Sequence, residues 1–111
     1  MNGKLFARIL FYALIVTGLL NLSVVTSRAQ SPAETLFKSK CAPCHGADGQ
    51  GDVPMGKKLG AHNLKSPEVQ AHSDAQLAGI IAKGQNHMPP YGGRLSADEI
   101  NDLVKFIRSL K

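Results

Sequence analysis

The sequence predicts an all-α protein in which short helices follow an N-terminal leader. Two segments carry a capping box, in which a serine and the Gln or Glu three residues later satisfy the first free amides of a helix. The second box is formed by Ser96 and Glu99. Apolar residues then follow with the i, i+3, i+4, i+7 spacing of one helix face, namely Ile100, Leu103, Val104 and Ile107. After the leader, no segment shows the alternating pattern of a β-strand.

The leader has the order of a secretory signal. Basic residues precede an apolar run at 9–25, and polar residues follow it. Ser27 and Ala29 have the small-x-small spacing that a signal peptidase accepts, so we predict that residues 1–29 form a cleaved signal peptide and 30–111 the mature domain. The alternative is a retained anchor, because the apolar run is at the low end of what can span a bilayer.

Removal of the leader changes the charge and the size of the protein. The whole chain has a formal net charge of +5, but three basic residues and no acid lie in the leader, leaving ten basic and eight acidic residues, or +2. This charge gives no indication of nucleic-acid binding. The mature domain has about 82 residues and only three Phe or Tyr side chains, Phe37, Tyr91 and Phe106. Such a domain usually needs a disulfide, a metal or a cofactor to complete its core.

The first predicted helix begins at Ser31 and Pro32, which suit a helix cap and first turn. It leads into CAPCHGADGQG, which contains the only two cysteines, Cys41 and Cys44, followed directly by His45. A disulfide between the two would close a very short loop and would stabilise the fold little. A thioredoxin-like redox pair requires an alternation of strands and helices that the sequence lacks.

Two further interpretations of this motif involve a metal. Zinc would need an additional histidine, His62, His72 or His87, at spacings unlike those of the usual zinc fingers and ribbons. Cys-x-x-Cys-His is also the attachment motif of c-type haem, in which the two thiols form thioethers with the vinyl groups and the histidine binds iron. We therefore predict one covalent haem c, with zinc and a redox pair as the remaining alternatives.

The second axial ligand of such a haem is predicted to be Met88, in GQNHMPPYGG. A methionine thioether raises the reduction potential of haem iron, and the two prolines after Met88 stiffen the backbone that carries it. Met55 follows the attachment motif closely and is predicted to lie at the surface or the haem edge. His87 remains the alternative ligand, while His62 and His72 are predicted to be ordinary loop residues.

The remaining helices are predicted from their caps. Ser66 begins one further turn. Ser73 and Gln76 form the first capping box, and Gly84 ends that helix. Its apolar stripe consists of Leu77, Ile80 and Ile81. We expect this stripe and that of the last helix to form the core and the walls of the haem pocket.

With these motifs, the chain resembles the class I c-type cytochromes, which are small monohaem electron carriers. The resemblance rests on CAPCHGADGQG, on KGQNHMPPYGGRLSADEI and on the order of helices and loops around them. It implies a cytochrome c-like fold of three to four short helices wrapped around one covalently bound haem. It also implies that Phe37, on the first helix, packs near Leu103 and Phe106 on the last.

The resemblance further implies that a backbone carbonyl in the loop VPMGKKLG orients His45. Leu59 and Leu64 are expected to pack against the haem. With His45 and Met88 both on iron, no position is open to a substrate, so we expect an electron carrier rather than an enzyme.

The function predicted from the sequence is that of an exported, periplasmic one-electron shuttle, monomeric, between redox proteins that the sequence does not identify. Contact with a membrane is expected only if the leader is retained. Basic residues near the haem could steer acidic partners or simply solubilise the surface: Lys38, Lys40, Lys57, Lys58, Lys83 and Arg94. The alternatives are a haem-based ligand sensor or minor peroxidase with a displaceable Met88, and a membrane-anchored cytochrome subunit of a larger oxidoreductase.

Overall fold

The computed structural model describes residues 2–19 and 29–110. Apart from one isolated bridge between Gln85 and Met88, the regular structure of these residues is helical, which confirms the predicted all-α class. The helices are α1 (Gly3–Leu19), α2 (Pro32–Lys40), α3 (Ala42–His45), α4 (Pro54–Leu59), α5 (Pro67–Ala71), α6 (Asp74–Lys83) and α7 (Ala97–Ser109).

Helix α1 lies within the predicted leader. Its large apolar side chains up to residue 14 are more than half exposed, among them Phe11 and Tyr12. Within the described part of the chain, no helix is both long enough and apolar enough to cross a membrane. Ser27, on which the predicted cleavage site depends, lies outside the described residues, so the boundary between 1–29 and 30–111 stays a prediction.

Serine caps begin four of the helices at the predicted positions. In each case the serine hydroxyl accepts a hydrogen bond from the backbone amide three residues later, which satisfies an amide that has no partner inside the helix. These serines are Ser31, Ser66, Ser73 and Ser96. Both predicted capping boxes are present, because the side chains of Gln76 and Glu99 accept hydrogen bonds from the backbone amides of the cap serines. The starts of these four helices were therefore predictable from local sequence alone.

The core forms where α2 packs against α7. Phe37 of α2 is completely buried, and its ring centroid lies 5.0 Å from that of Phe106, with the rings tilted by 50°. Leu103 belongs to the same cluster and is 1% exposed. The predicted packing of the first helix on the last is confirmed, and it brings the end of α2, which leads to Cys41, against the C-terminal helix.

Two short helices were not predicted, and with them the mature domain has more helices than the expected three to four. Helices α3 and α4 both have proline in the first turn, where its missing amide costs nothing. The glycines of VPMGKKLG suggest a loop, but Gly56 lies inside α4 at its contact with α3. A Cβ there would overlap the Cys44 carbonyl oxygen and lie 2.5 Å from that of Gly51. Glycine is therefore required by packing rather than by a turn.

Arg108 connects α7 with the end of α5 and the start of α6. Its guanidinium donates to the backbone oxygen of Gln70 (2.9 Å), to the backbone oxygen of His72 and to the Asp74 carboxylate (2.9 Å). The Gln70 side chain donates in turn to the Leu64 carbonyl (2.7 Å). One side chain thus holds the short helix α5 in position.

We expect Arg108→Met to lower the free energy of unfolding by about 1.5 kcal/mol, because it leaves backbone carbonyls without their charged donor and only about a quarter of the side chain is exposed. The matched control is Lys105→Met, which removes an exposed ion pair with Asp102 and should cost at most about 0.5 kcal/mol. Guanidinium unfolding of both variants measures the difference. Equal losses would show that the Arg108 network adds no stability.

Candidate cofactor site

A cavity of about 360 Å³ brings the predicted site residues together. Cys44 and His45 line it from α3, Cys41 lines it from the position just before that helix, and Met88 lines it from the loop after α6. Its volume lies within the range of small-molecule and cofactor sites. Residues separated by more than forty positions in the sequence therefore meet at one site.

The walls of the cavity are apolar and continuous with the core. Five buried side chains from three helices and one loop belong to both, namely Leu64, Val69, Leu77, Ile81 and Ile107. Leu59 and Leu64 line the cavity as expected. The expectation for α7 was wrong in part: only Ile107 of its stripe lines the cavity, while Ile100, Leu103 and Val104 are buried in the core cluster.

The two thiols are free and half-buried at adjacent turns of the chain. Cys41 caps the end of α2, and its backbone amide donates to the Phe37 carbonyl (2.8 Å). It also caps the start of α3, where the backbone amide of His45 donates to the Cys41 carbonyl (2.9 Å). Burial, and then the neighbouring Cys44, raise the pKa of the Cys41 thiol to about 11. This thiol therefore stays protonated at neutral pH until it reacts.

The His45 ring is held by a single hydrogen bond. Its Nδ1 lies 3.0 Å from the backbone oxygen of His62, which fixes the ring orientation and leaves Nε2 free to bind a metal. Burial lowers the pKa of His45, so the imidazole favours the neutral form that a metal requires.

The carbonyl that orients His45 was predicted in the wrong place. It lies not in VPMGKKLG but at His62, two residues beyond that segment. Residues 54–59 form α4, and the Ala61 amide donates to the Gly56 carbonyl to close its end. Because α4 occupies most of that segment, the carbonyl that meets His45 comes from the chain that follows the helix.

The loop that carries Met88 is fixed by its own backbone. Gln85 and Met88 exchange two hydrogen bonds, of 2.8 and 3.1 Å, across a tight turn in which Asn86 has a φ of 51°. Gly84 lets this loop approach α6, since a Cβ there would lie 2.6 Å from the Met88 carbonyl oxygen. Met88 is half-buried. The loop presents its side chain to the cavity on a rigid backbone.

The competing ligands differ in position. Met55 is 48% exposed and does not line the cavity, in agreement with a surface position. His87 lines the cavity beside Met88 with an exposed side chain. His62 and His72, predicted to be ordinary loop residues, also line it, and no sequence signal distinguished them from other loop histidines. Within residues 2–19 and 29–110, no group of three or more His, Cys, Asp or Glu is arranged to hold a metal ion, so zinc gains no support.

Tyr91 is a cavity residue that the sequence analysis treated only as an aromatic side chain. Its hydroxyl donates to the Lys40 carbonyl (3.1 Å), and its amide donates to the Ile81 carbonyl (3.0 Å). The Arg94 guanidinium lies 5.7 Å from the ring centroid. Tyr91 therefore contacts both the helix before the thiols and the helix before Met88.

The donor set fits a covalently attached haem. Two free thiols and a neighbouring imidazole border an apolar cavity that a thioether also lines, and apolar walls exclude water from a bound cofactor. An all-helical domain built around such a cavity defines a haem-binding protein of the c type.

Comparison with known proteins agrees with this class. Residues 28–107 match the family described as cytochrome C oxidase, cbb3-type, subunit III. The match covers most of the chain, so the chain belongs to this family of cytochrome c domains, and its resemblance to the small class I c-type cytochromes is confirmed. Membership of the family implies a covalently bound haem c.

Individual relatives are similar over nearly their whole length. Cytochrome c6 of Bumilleriopsis filiformis is 33% identical over 79 residues, which cover 68% of this chain and 85% of that protein. A cytochrome c6-like protein of Nostoc sp. is 31% identical over 97 residues, covering 84% and 85%. The solved structure of the KustC0563 c-type cytochrome superimposes with a TM-score of 0.66 at 32% identity, over 71% of this chain and 96% of that one.

Proposed function

We propose that this protein is a one-electron carrier in which one haem c is joined to Cys41 and Cys44, with His45 and Met88 as the axial ligands. The observation that carries the proposal is the shared cavity, which is lined by these four side chains and by apolar residues. The similarity to proteins named cytochrome c6 supports electron transfer rather than catalysis.

The protein residues have distinct parts in this function. The thiols at either end of the short turn hold the cofactor covalently, so that it cannot dissociate. The hydrogen bond to the His62 carbonyl keeps His45 in one orientation and increases its basicity. Met88 supplies a soft sulfur that favours the reduced state, and the apolar walls keep water away. The haem, when bound, supplies the redox chemistry itself.

We further propose that the protein works as an exported, periplasmic monomer that exchanges electrons with other redox proteins and binds no nucleic acid. The signal-like order of residues 1–29 supports export. The hypothesis of a basic rim receives limited support. Only Lys40 of the six candidates lines the cavity, and Lys38 and Lys57 are paired with acids at 2.8 Å.

The absorption spectrum tests the axial ligands. In protein matured in a periplasm that attaches haem, we expect a low-spin spectrum with a weak sulfur-to-iron band in the far red. Met88→Ala should abolish that band, because it removes the only thioether that lines the cavity among the described residues. Met55→Ala is the matched control and should leave the band intact, since Met55 is exposed.

Other results would redirect the proposal. A band that persists in Met88→Ala would exclude Met88, and its absence from the wild-type spectrum would favour His87. A failure to incorporate haem would return the motif to zinc or disulfide chemistry. Ready binding of carbon monoxide by the ferrous protein would favour the alternative of a ligand sensor or peroxidase with a displaceable Met88.

A second candidate function is that of an anchored cytochrome subunit of a larger oxidoreductase. The description of the matched family names such a subunit, and α1 carries exposed apolar side chains. Cell fractionation with N-terminal sequencing separates the candidates. A periplasmic chain beginning at Gln30 supports the shuttle, and a full-length chain found only in detergent extracts supports the subunit.

A further inference from the structure

Tyr91 forms a connection that the proposed ligands do not account for. Its hydroxyl donates to the Lys40 carbonyl at 3.1 Å, across 51 positions in sequence. Lys40 is the last residue of α2 and directly precedes Cys41. Among the hydrogen bonds of the described residues, no other joins the segment 85–95 with the segment 40–46.

The acceptor of this bond is a carbonyl at a helix end. The last carbonyls of an α-helix have no partner within it and need an outside donor. The backbone amides that follow α2 donate hydrogen bonds to the carbonyls of Phe37, Cys41 and Ala42, and none donates to the Lys40 carbonyl. The Tyr91 hydroxyl therefore satisfies a carbonyl that the described backbone leaves open.

The other end of the connection is equally well fixed. The Tyr91 amide donates to the Ile81 carbonyl, and the amides of Arg94 and Leu95 both donate to the Tyr91 carbonyl at 2.9 Å. Met88, three residues earlier, is held through its own backbone to Gln85. Between Met88 and Tyr91 lie only Pro89 and Pro90, whose φ angles are restricted. A shift of the Tyr91 backbone would therefore also shift the Met88 backbone.

From this geometry we propose that Tyr91 is a positioning residue for Met88: its hydroxyl holds the methionine loop at a set distance from the segment that carries Cys41. The inference rests on the proposed ligation of haem iron by Met88. A thioether is a weak ligand, so a loosened loop would let an external ligand compete for its position more easily. The ring packs against the core with or without the hydroxyl.

Imidazole binding to the ferric haem protein tests this inference, because imidazole must displace Met88. Tyr91→Phe keeps the ring and removes only the bond to Lys40. A hydrogen bond contributes about 0.5–1.5 kcal/mol net, so we expect imidazole to bind about 2- to 10-fold more tightly than to wild type. The matched control is Ser39→Ala, which removes a 3.0 Å hydrogen bond from the same end of α2 to Leu36 without reaching the Met88 loop. Its imidazole affinity should equal that of wild type.

The outcomes separate the inference from the function on which it rests. If Met88→Ala binds imidazole far more tightly than wild type while Tyr91→Phe does not differ from Ser39→Ala, the positioning role is wrong and the ligation stands. If Met88→Ala leaves the affinity unchanged, Met88 is not the ligand and both proposals are overturned. A tighter affinity in Tyr91→Phe alone supports positioning, since a general loss of stability would affect both hydrogen-bond variants.

Discussion

Replacement of Phe37 by alanine is expected to lower the free energy of unfolding by about 3–5 kcal/mol. The ring is completely buried between α2 and α7 and packs on Phe106 at 5.0 Å. Its loss removes apolar burial and leaves a cavity that neighbouring helices fill only in part. A domain of about 82 residues has a total stability of roughly 4–12 kcal/mol, so this loss is a large fraction of it.

Guanidinium unfolding of the haem-loaded protein, followed by circular dichroism, measures this effect. Met55→Ala is a suitable control because it truncates a large apolar side chain that is 48% exposed, and surface changes usually alter stability by less than about 0.5 kcal/mol. A loss below about 1 kcal/mol for Phe37→Ala would mean that the contact of α2 with α7 is not the centre of the core.

The second large effect is expected for Gly56→Ala. The added methyl group would overlap the Cys44 carbonyl oxygen and press on that of Gly51, and both are backbone atoms that cannot rotate away. Overpacking of this kind costs about 1–3 kcal/mol, and we expect the upper end because both obstacles are rigid. The displaced atom belongs to the attachment motif, so the fraction of chains that carry covalent haem should also fall.

Gly79→Ala provides the control. Gly79 lies inside α6, and a Cβ there would meet no atom within 4 Å. Alanine is favoured over glycine in a helix, so this variant should be more stable by about 0.5–1 kcal/mol. Thermal unfolding and the haem-to-protein absorbance ratio of both variants give the comparison. If Gly56→Ala gained stability as Gly79→Ala does, α4 would not pack on α3 as described.

The parts of the fold that the sequence predicted depend on short-range chemistry. The caps at Ser31, Ser73 and Ser96 act within one turn of their helices, and each was recognisable from residues three positions apart. The attachment motif is equally local, because its two cysteines and its histidine span a single turn. Met88 was predicted from its thioether and from the two prolines that follow it, and it lines the same cavity as the motif.

The parts that were missed depend on contacts between distant segments. Helix α4 contains Gly56 because a larger residue there would collide with the Cys44 carbonyl oxygen. From sequence alone, a glycine at this position indicates a loop. The bond from His45 to the His62 carbonyl depends on where that helix ends. Tyr91 and Arg108 are joined to backbone oxygens 51 and 36 to 38 positions away, and side chains that bind backbone leave no residue-type signal at the acceptor.

The turn from Gln85 to Met88 is held by backbone hydrogen bonds. Both backbone groups of Met88 are bonded to Gln85, and Gly84 provides the space for the turn, so these hydrogen bonds do not depend on which side chain stands at position 88. Under the proposed ligation, a substitution at position 88 would therefore change the iron ligand while the turn keeps its backbone hydrogen bonds.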